Sequence, residues 1–208
     1  MLSGGTLLVQ HNGFAGDTLI SGKGATMLIQ NGGHASTTMV RSGGLMMVQN
    51  GGEADDTSVL SGAREVVLAG AIAGDTTISG GLLELAGGGS LGSGAVTFAS
   101  SGGGILQLDN SVSFAGLVAG FGEPDVIDLR DVAFSSGTSL SYTSANPANT
   151  SGTLTVTDGA HTAHIMLIGQ YAAAQFTLAA DGAGGTLVGD PPVVSDASSA
   201  TLAPVTHA

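Results

Sequence analysis

The sequence predicts an all-β fold: a parallel β-helix, or solenoid, of about six rungs closed by an antiparallel β cap. Two observations lead there. A short apolar run recurs four times, in Leu7-Leu8-Val9-Gln10, Met27-Leu28-Ile29-Gln30, Met46-Met47-Val48-Gln49 and Val66-Val67-Leu68-Ala69, spaced about 20, 19 and 20 residues apart. Glycine-rich corners such as Asn31-Gly32-Gly33 and Asn50-Gly51-Gly52 separate these runs. A fixed period near 20 residues, with strand-length apolar runs and Gly turns, marks a stacked solenoid.

Each unit supplies its own elements. The runs of about four or five residues are too short for helices. A second column holds Ala15, Ala35, Ala54 and Ala73, followed by Thr18, Thr38, Thr57 and Thr76, then Ile20, Val40, Val59 and Ile78. Gly and Asn provide the left-handed corners that a coil needs. Stacking then pairs parallel strands at roughly 4.8 Å per layer. One interior ladder is expected from Leu7, Met27, Met46 and Val66, and the next from Val9, Ile29, Val48 and Leu68. Right-handed coiling is the expected sense for parallel crossovers.

The repeats loosen after Ser79. Leu82–Leu85 and Ile105–Leu108 still read as strands, with Ala95–Phe98 and Val112-Ser113-Phe114 as their partners. Beyond Phe121 the spacing becomes that of hairpins, with strands near 125–129, 140–143, 153–157, 164–168, 176–178 and 186–188. Asp158-Gly159 between two apolar runs is a hairpin signal. A cap is needed because a terminal coil exposes apolar side chains and an open edge. The expected division is 1–121 for the β-helix, 122–190 for the cap and 191–208 for a flexible Pro-, Ser- and Ala-rich tail.

Composition bounds the function. The 208 residues include 36 Gly and no Cys, and 10% are charged. Net charge is −12, with Lys23, Arg41, Arg64 and Arg130 as the fixed cations. Nucleic acid and anionic membrane surfaces are therefore poor partners. No run approaches the roughly 18 apolar residues of a membrane helix, so no integral membrane segment is expected. Met1 leads directly into the repeat rather than into a basic-then-apolar leader, which reads as a fragment or as export by a C-terminal signal.

Residues that carry the repeat also carry a resemblance. Ser3-Gly4-Gly5-Thr6-Leu7-Leu8-Val9, Ile29-Gln30-Asn31-Gly32-Gly33-His34-Ala35, and Arg41-Ser42-Gly43-Gly44 through Thr57-Ser58-Val59 resemble the AIDA-type repeats of autotransporter adhesins and large bacterial exoproteins. The likeness covers roughly residues 3–85. It implies a secreted or cell-surface location and an exported stalk or adhesive surface, and it names no ligand. The stretch Phe121-Gly122 through Leu129 also resembles the segment that follows calcium-binding nonapeptides in type I secreted proteins, but no such nonapeptide occurs here.

Candidate sites are few. Asp17, Asp56 and Asp75 share one place in three rungs, with Thr37 in the fourth. Corner hydrogen bonding is the expected role, ahead of cation binding. Catalysis would need clustered carboxylates with a base nearby, and four fixed cations supply little of that. His161 and His164, three apart on a strand, point to opposite faces, which argues against a shared metal. No cofactor is expected. With Leu7 and Val9 inward, Leu8, Leu28, Met47 and Val67 form an apolar outer column flanked by Gln10, Gln30 and Gln49. The opposite register is also open, because both parities are apolar. Such a strip marks an interaction face, and Gln ladders suit stacked strands. The expected function is an adhesin or passenger segment binding itself, a surface or a glycan. The alternative is a structural spacer or secretion module; a carbohydrate-active β-helix comes third.

Overall fold

The computed structural model describes residues 2–190. The expected tail, 191–208, lies outside the described residues. The chain is a parallel β-solenoid of about six turns, wound from three walls.

The first wall stacks the 5–9 part of Leu2–Val9, the 25–29 part of Leu19–Ile29, Leu45–Val48, Arg64–Val67, Leu82–Leu85, Ile105–Leu108 and Val126–Leu129, all in parallel. Val126–Leu129 thus carries the parallel wall beyond residue 121. A short second wall pairs Phe14–Gly16, the start of His34–Arg41, the start of Glu53–Leu60, and Ile72–Ala73. The third wall runs from Leu2-Ser3 and Leu19-Ile20-Ser21 through 38–40, 57–60, Thr76–Ser79 and Ala95–Phe98 to Leu117–Ala119.

Alternation along each strand sends one set of side chains into the core. On the first wall one inner column is Val9, Ile29, Val48, Val67, Leu85, Leu108 and Leu129, each 4% exposed or less. Ala35, Ala54 and Ala73 are the buried residues of the short second wall. Ile20, Val40, Val59, Ile78 and Phe98 line the third.

The fourth coil departs from the expected register. Val66 and Leu68 were expected inside; Glu65 and Val67 are inside instead. Met46 pairs with Glu65 and Val48 with Val67, a spacing of 19 residues, the same as from Ala54 to Ala73. Val66 and Val67 are both apolar, so hydropathy alone does not choose between them, and a one-residue slip exchanges inside for outside.

Corners are tight and repeated. Asp17, Thr37 and Asp56 all adopt left-handed backbone, with φ of 48°, 55° and 51°. Gly51 shows why glycine recurs at the corner between the first and second walls. Its φ is +71°, and a Cβ there would meet Asn31 at 2.9 Å. Its N–H donates to the Gly70 carbonyl at 2.9 Å, one step of a hydrogen-bond ladder up that corner.

The far end is closed. Thr186–Gly189 pairs antiparallel with Val126–Leu129, and Thr177–Ala180 pairs outside it. On the third wall Thr162–Ile168 pairs in parallel with Leu117–Ala119, then antiparallel with Ser151–Thr157, which pairs with Ser139–Ser144. The Asp158 turn joins two of these strands. Backbone N–H groups of His161, Ala133 and Ala160 donate to its carboxylate and hold it well below the usual carboxylate range. Phe98, Phe121, Phe176, Tyr142 and Tyr171 form a chain of ring contacts beneath the cap. Burial pushes the Tyr171 phenol up to about 12, and its hydroxyl donates to the Phe121 carbonyl at 3.0 Å.

One expected strand is absent. Ser111–Ser113 is a 3-10 turn, and the strand falls later, at Leu117–Ala119. Asp131 holds the turn: it accepts from the Ser111 hydroxyl at 2.6 Å and from the Val112 N–H at 3.3 Å.

Candidate interaction face

The outer side of the first wall carries two columns. In one, Leu8, Leu28, Met47 and Val66 stack in register, followed by Glu84, Gln107 and Asp128. In the other come Thr6, Thr26, Leu45, Arg64, Leu82, Ile105 and Val126. Leu8 is 44% exposed, Leu28 and Met47 are half-buried, and Val66 is 5% exposed. Val67, expected in this column, is fully buried in the core.

The accessible apolar strip therefore ends at the third coil. At the fourth, the Arg64 guanidinium donates to the Glu84 carboxylate across neighbouring strands, beside Val66. Beyond it this column turns polar, with Glu84, Gln107 and Asp128, while Leu82, Ile105 and Val126 keep the other column apolar. Arg130 pairs with Asp181 at 3.0 Å and lies 3.6 Å from Asp128, whose carboxyl burial raises above its ordinary range.

The three glutamines flank the strip at the corner. Gln10 donates its side-chain amide to Gln30 at 3.2 Å, the first step of a ladder. Gln49 does not extend it; its amide contacts the Met47 sulfur at 3.9 Å.

The four corner residues fall into two groups. Asp17, Thr37 and Asp56 occupy equivalent left-handed positions, whereas Asp75 accepts the Ala95 N–H at 2.8 Å. His34 is half-buried: it stacks on Phe14 at 5.4 Å and bonds Asp55 at 3.0 Å. His161 contacts Asp158 and His164 contacts Thr155, so the two histidines serve different partners. Among the described residues no group of three or more His, Cys, Asp or Glu side chains is placed to hold a metal ion.

Two features were not foreseen. Glu65 lies fully buried in the column of Met46 and Leu83. Burial raises its pKa to about 8, against a weak counter-effect from the Thr76 hydroxyl at 3.4 Å. The sequence signal was the carboxylate opening the run Glu65-Val66-Val67, read with a 19-residue repeat. The second feature is a cleft of about 240 Å³ where the 3-10 turn leaves the solenoid, lined by Leu85, Gly88, Ser90, Leu108, Asn110 and Phe114.

No family model, curated protein or solved structure matches this chain. Among the described residues no helix is long and apolar enough to cross a membrane.

Proposed function

We propose that this chain is a non-enzymatic adhesive segment, secreted or held at a bacterial cell surface, that associates laterally with another copy or with a surface through its first wall. The carrying observation is the strip of Leu8, Leu28 and Met47, apolar and accessible on a flat stack of strands. The resemblance of residues 3–85 to AIDA-type repeats supports the same reading. Each coil would add a small apolar contact, so strength would grow with the number of coils engaged.

Sedimentation velocity over a wide concentration range tests this reading. Leu28→Glu with Met47→Glu places charge on the outer face and leaves the core untouched. The expected outcome is an unchanged fold with weaker association. Unchanged sedimentation of the double variant sinks the lateral contact. A wild-type chain that stays monomeric throughout favours the spacer reading.

A further inference from the structure

The second wall stops in the middle of the molecule. Its rungs are tied by a regular ladder: the carbonyls of Gly13, Gly33, Gly52 and Ala71 accept from the N–H groups of His34, Glu53, Ile72 and Ser90 on the next coil at 3.0, 3.1, 3.1 and 3.2 Å. The corner beside it is tied in the same way, with Gly32, Gly51 and Gly70 donating to the carbonyls of Gly51, Gly70 and Gly88 at 2.8, 2.9 and 3.0 Å. Gly89 and Gly88 come next in these two series. The sixth coil brings no strand to meet them, because Ser111–Ser113 is a 3-10 turn held by Asp131. Among the described residues the Gly88 N–H, the Gly89 carbonyl and the Leu91 N–H have no hydrogen-bond partner.

These residues line the cleft of about 240 Å³ and a second hollow of about 80 Å³ that continues it past Leu91 to Gly116. Leu85 and Leu108 on its inner side are buried, and Phe114 is half-buried. Ser90, Asn110 and Ser113 add neutral polar groups, and no Lys, Arg, Asp or Glu lines either hollow. The cleft is smaller than the roughly 300–1,000 Å³ of sites for drug-sized ligands. An unpaired edge beside it is a template for a further strand.

The pattern of free groups sets the direction of that strand. Ser90 shows parallel pairing: it donates to the Ala71 carbonyl at 3.2 Å and accepts from the Ala73 N–H at 2.9 Å. An incoming residue opposite Ser90 would do the same with the Gly89 carbonyl and the Leu91 N–H. Antiparallel pairing would instead use both groups of one residue. The Gly89 N–H already donates to Ala86 at 2.7 Å, and the Leu91 carbonyl already accepts from Gly94 at 2.9 Å. Ser90 is exposed and Leu91 buried, so the incoming residue points outward and its two neighbours inward. One coil earlier those inward places hold Ala71 and Ala73, both fully buried.

We propose that this cleft binds a short extended peptide segment of a partner protein, added in parallel as a further rung of the second wall. The segment is neutral and carries small side chains on both sides of the paired residue. Main-chain hydrogen bonds hold it and the shape of the cleft selects it, as in other cases of strand addition. The site is separate from the Leu8, Leu28 and Met47 strip and does not rest on the lateral contact.

An acetylated, amidated peptide copying Gly70-Ala71-Ile72-Ala73-Gly74 is the probe, titrated into the isotope-labelled full chain and followed by NMR. The Gly88 and Leu91 amide resonances are expected to shift with a dissociation constant on the order of 1 mM, and their hydrogen exchange to slow. The same peptide N-methylated at its isoleucine lacks the paired N–H and is expected to bind about tenfold more weakly. Ser113→Trp fills the cleft from its exposed rim and is expected to weaken binding about as much, with circular dichroism confirming the fold. The proposal is overturned if Gly88 and Leu91 stay unmoved as the peptide is raised past that range. Equal binding of the N-methylated peptide, or unimpaired binding by folded Ser113→Trp, also overturns it. Shifts of the same two amides with rising protein concentration and no peptide would make a second copy the occupant instead. Peptide-induced shifts confined to Leu8, Leu28 and Met47 would place binding on the lateral strip and remove it from the cleft.

Discussion

Coils one to three and the part from coil four to the cap use the same repeat for different ends. In the first three, the outer first wall carries Leu8, Leu28 and Met47, the formal charge of residues 1–63 is −2, and Phe14 stands as the single aromatic residue. From the fourth coil on, Arg64–Glu84 and Arg130–Asp181 pairs cross the wall, twelve of the 16 carboxylates accumulate, and aromatic rings fill the interior under the cap. A solenoid's stability is roughly a sum of coil terms and contacts between neighbours. Its interior rules bind every coil alike, while its outer face is free to differ from one coil to the next.

Core truncation gives the largest contrast. Leu106 and Leu7 occupy the same inner column, but Leu106 is fully buried and Leu7 is half-buried. Leu106→Ala is expected to cost about 2–5 kcal/mol, and Leu7→Ala about 1 kcal/mol, since less apolar area is lost. Urea denaturation of both variants measures the gap. Equal losses would mean that the first coil is already covered, by a second copy or otherwise.

The boundary coil responds to pH. An ordinary Glu ionises near 4.5, and folded Glu65 holds its proton to about 8. The folded state thus binds more protons across that window. Stability is greatest below the lower value, falls by at most about 1.4 kcal/mol per pH unit through the window, and levels off above the upper one. Burial also raises Asp190, to about 6, and raises Asp125 and Asp128, all with the same sign, so the comparison with Glu65→Gln rather than the bare slope identifies the Glu65 part. Glu65→Gln should flatten the slope through the window, and Glu65→Leu should stabilise the chain at pH 8. Parallel wild-type and Glu65→Gln slopes would show that Glu65 is not the titrating group.

The smallest expected effect lies at a corner within the first three coils. Thr37 is β-branched at φ 55°, where Asp17 and Asp56 occupy the equivalent positions. Asn tolerates left-handed backbone far better, so Thr37→Asn should gain roughly 0.5–1 kcal/mol. Thermal melts should show a small rise. A fall would mean that the Thr37 side chain contributes something the backbone geometry does not reveal.

The sequence by itself determined the period, the Gly and Asp corners, the inner ladders of the first three coils and the antiparallel closure. Each of these repeats, or follows a local turn rule, so neighbouring coils vouch for one another. Of the candidate face, Leu8, Leu28, Met47 and the glutamines were legible for the same reason. Tertiary structure alone decided that Val67 turns in and Val66 out, that Glu65 enters the core, that 111–113 coils under Asp131, and that His34 meets Phe14 and Asp55. Those choices depend on which residue a strand finds one layer away. With side chains alternating every residue, a single-step change in register rewrites both faces while leaving the hydropathy of the run nearly the same.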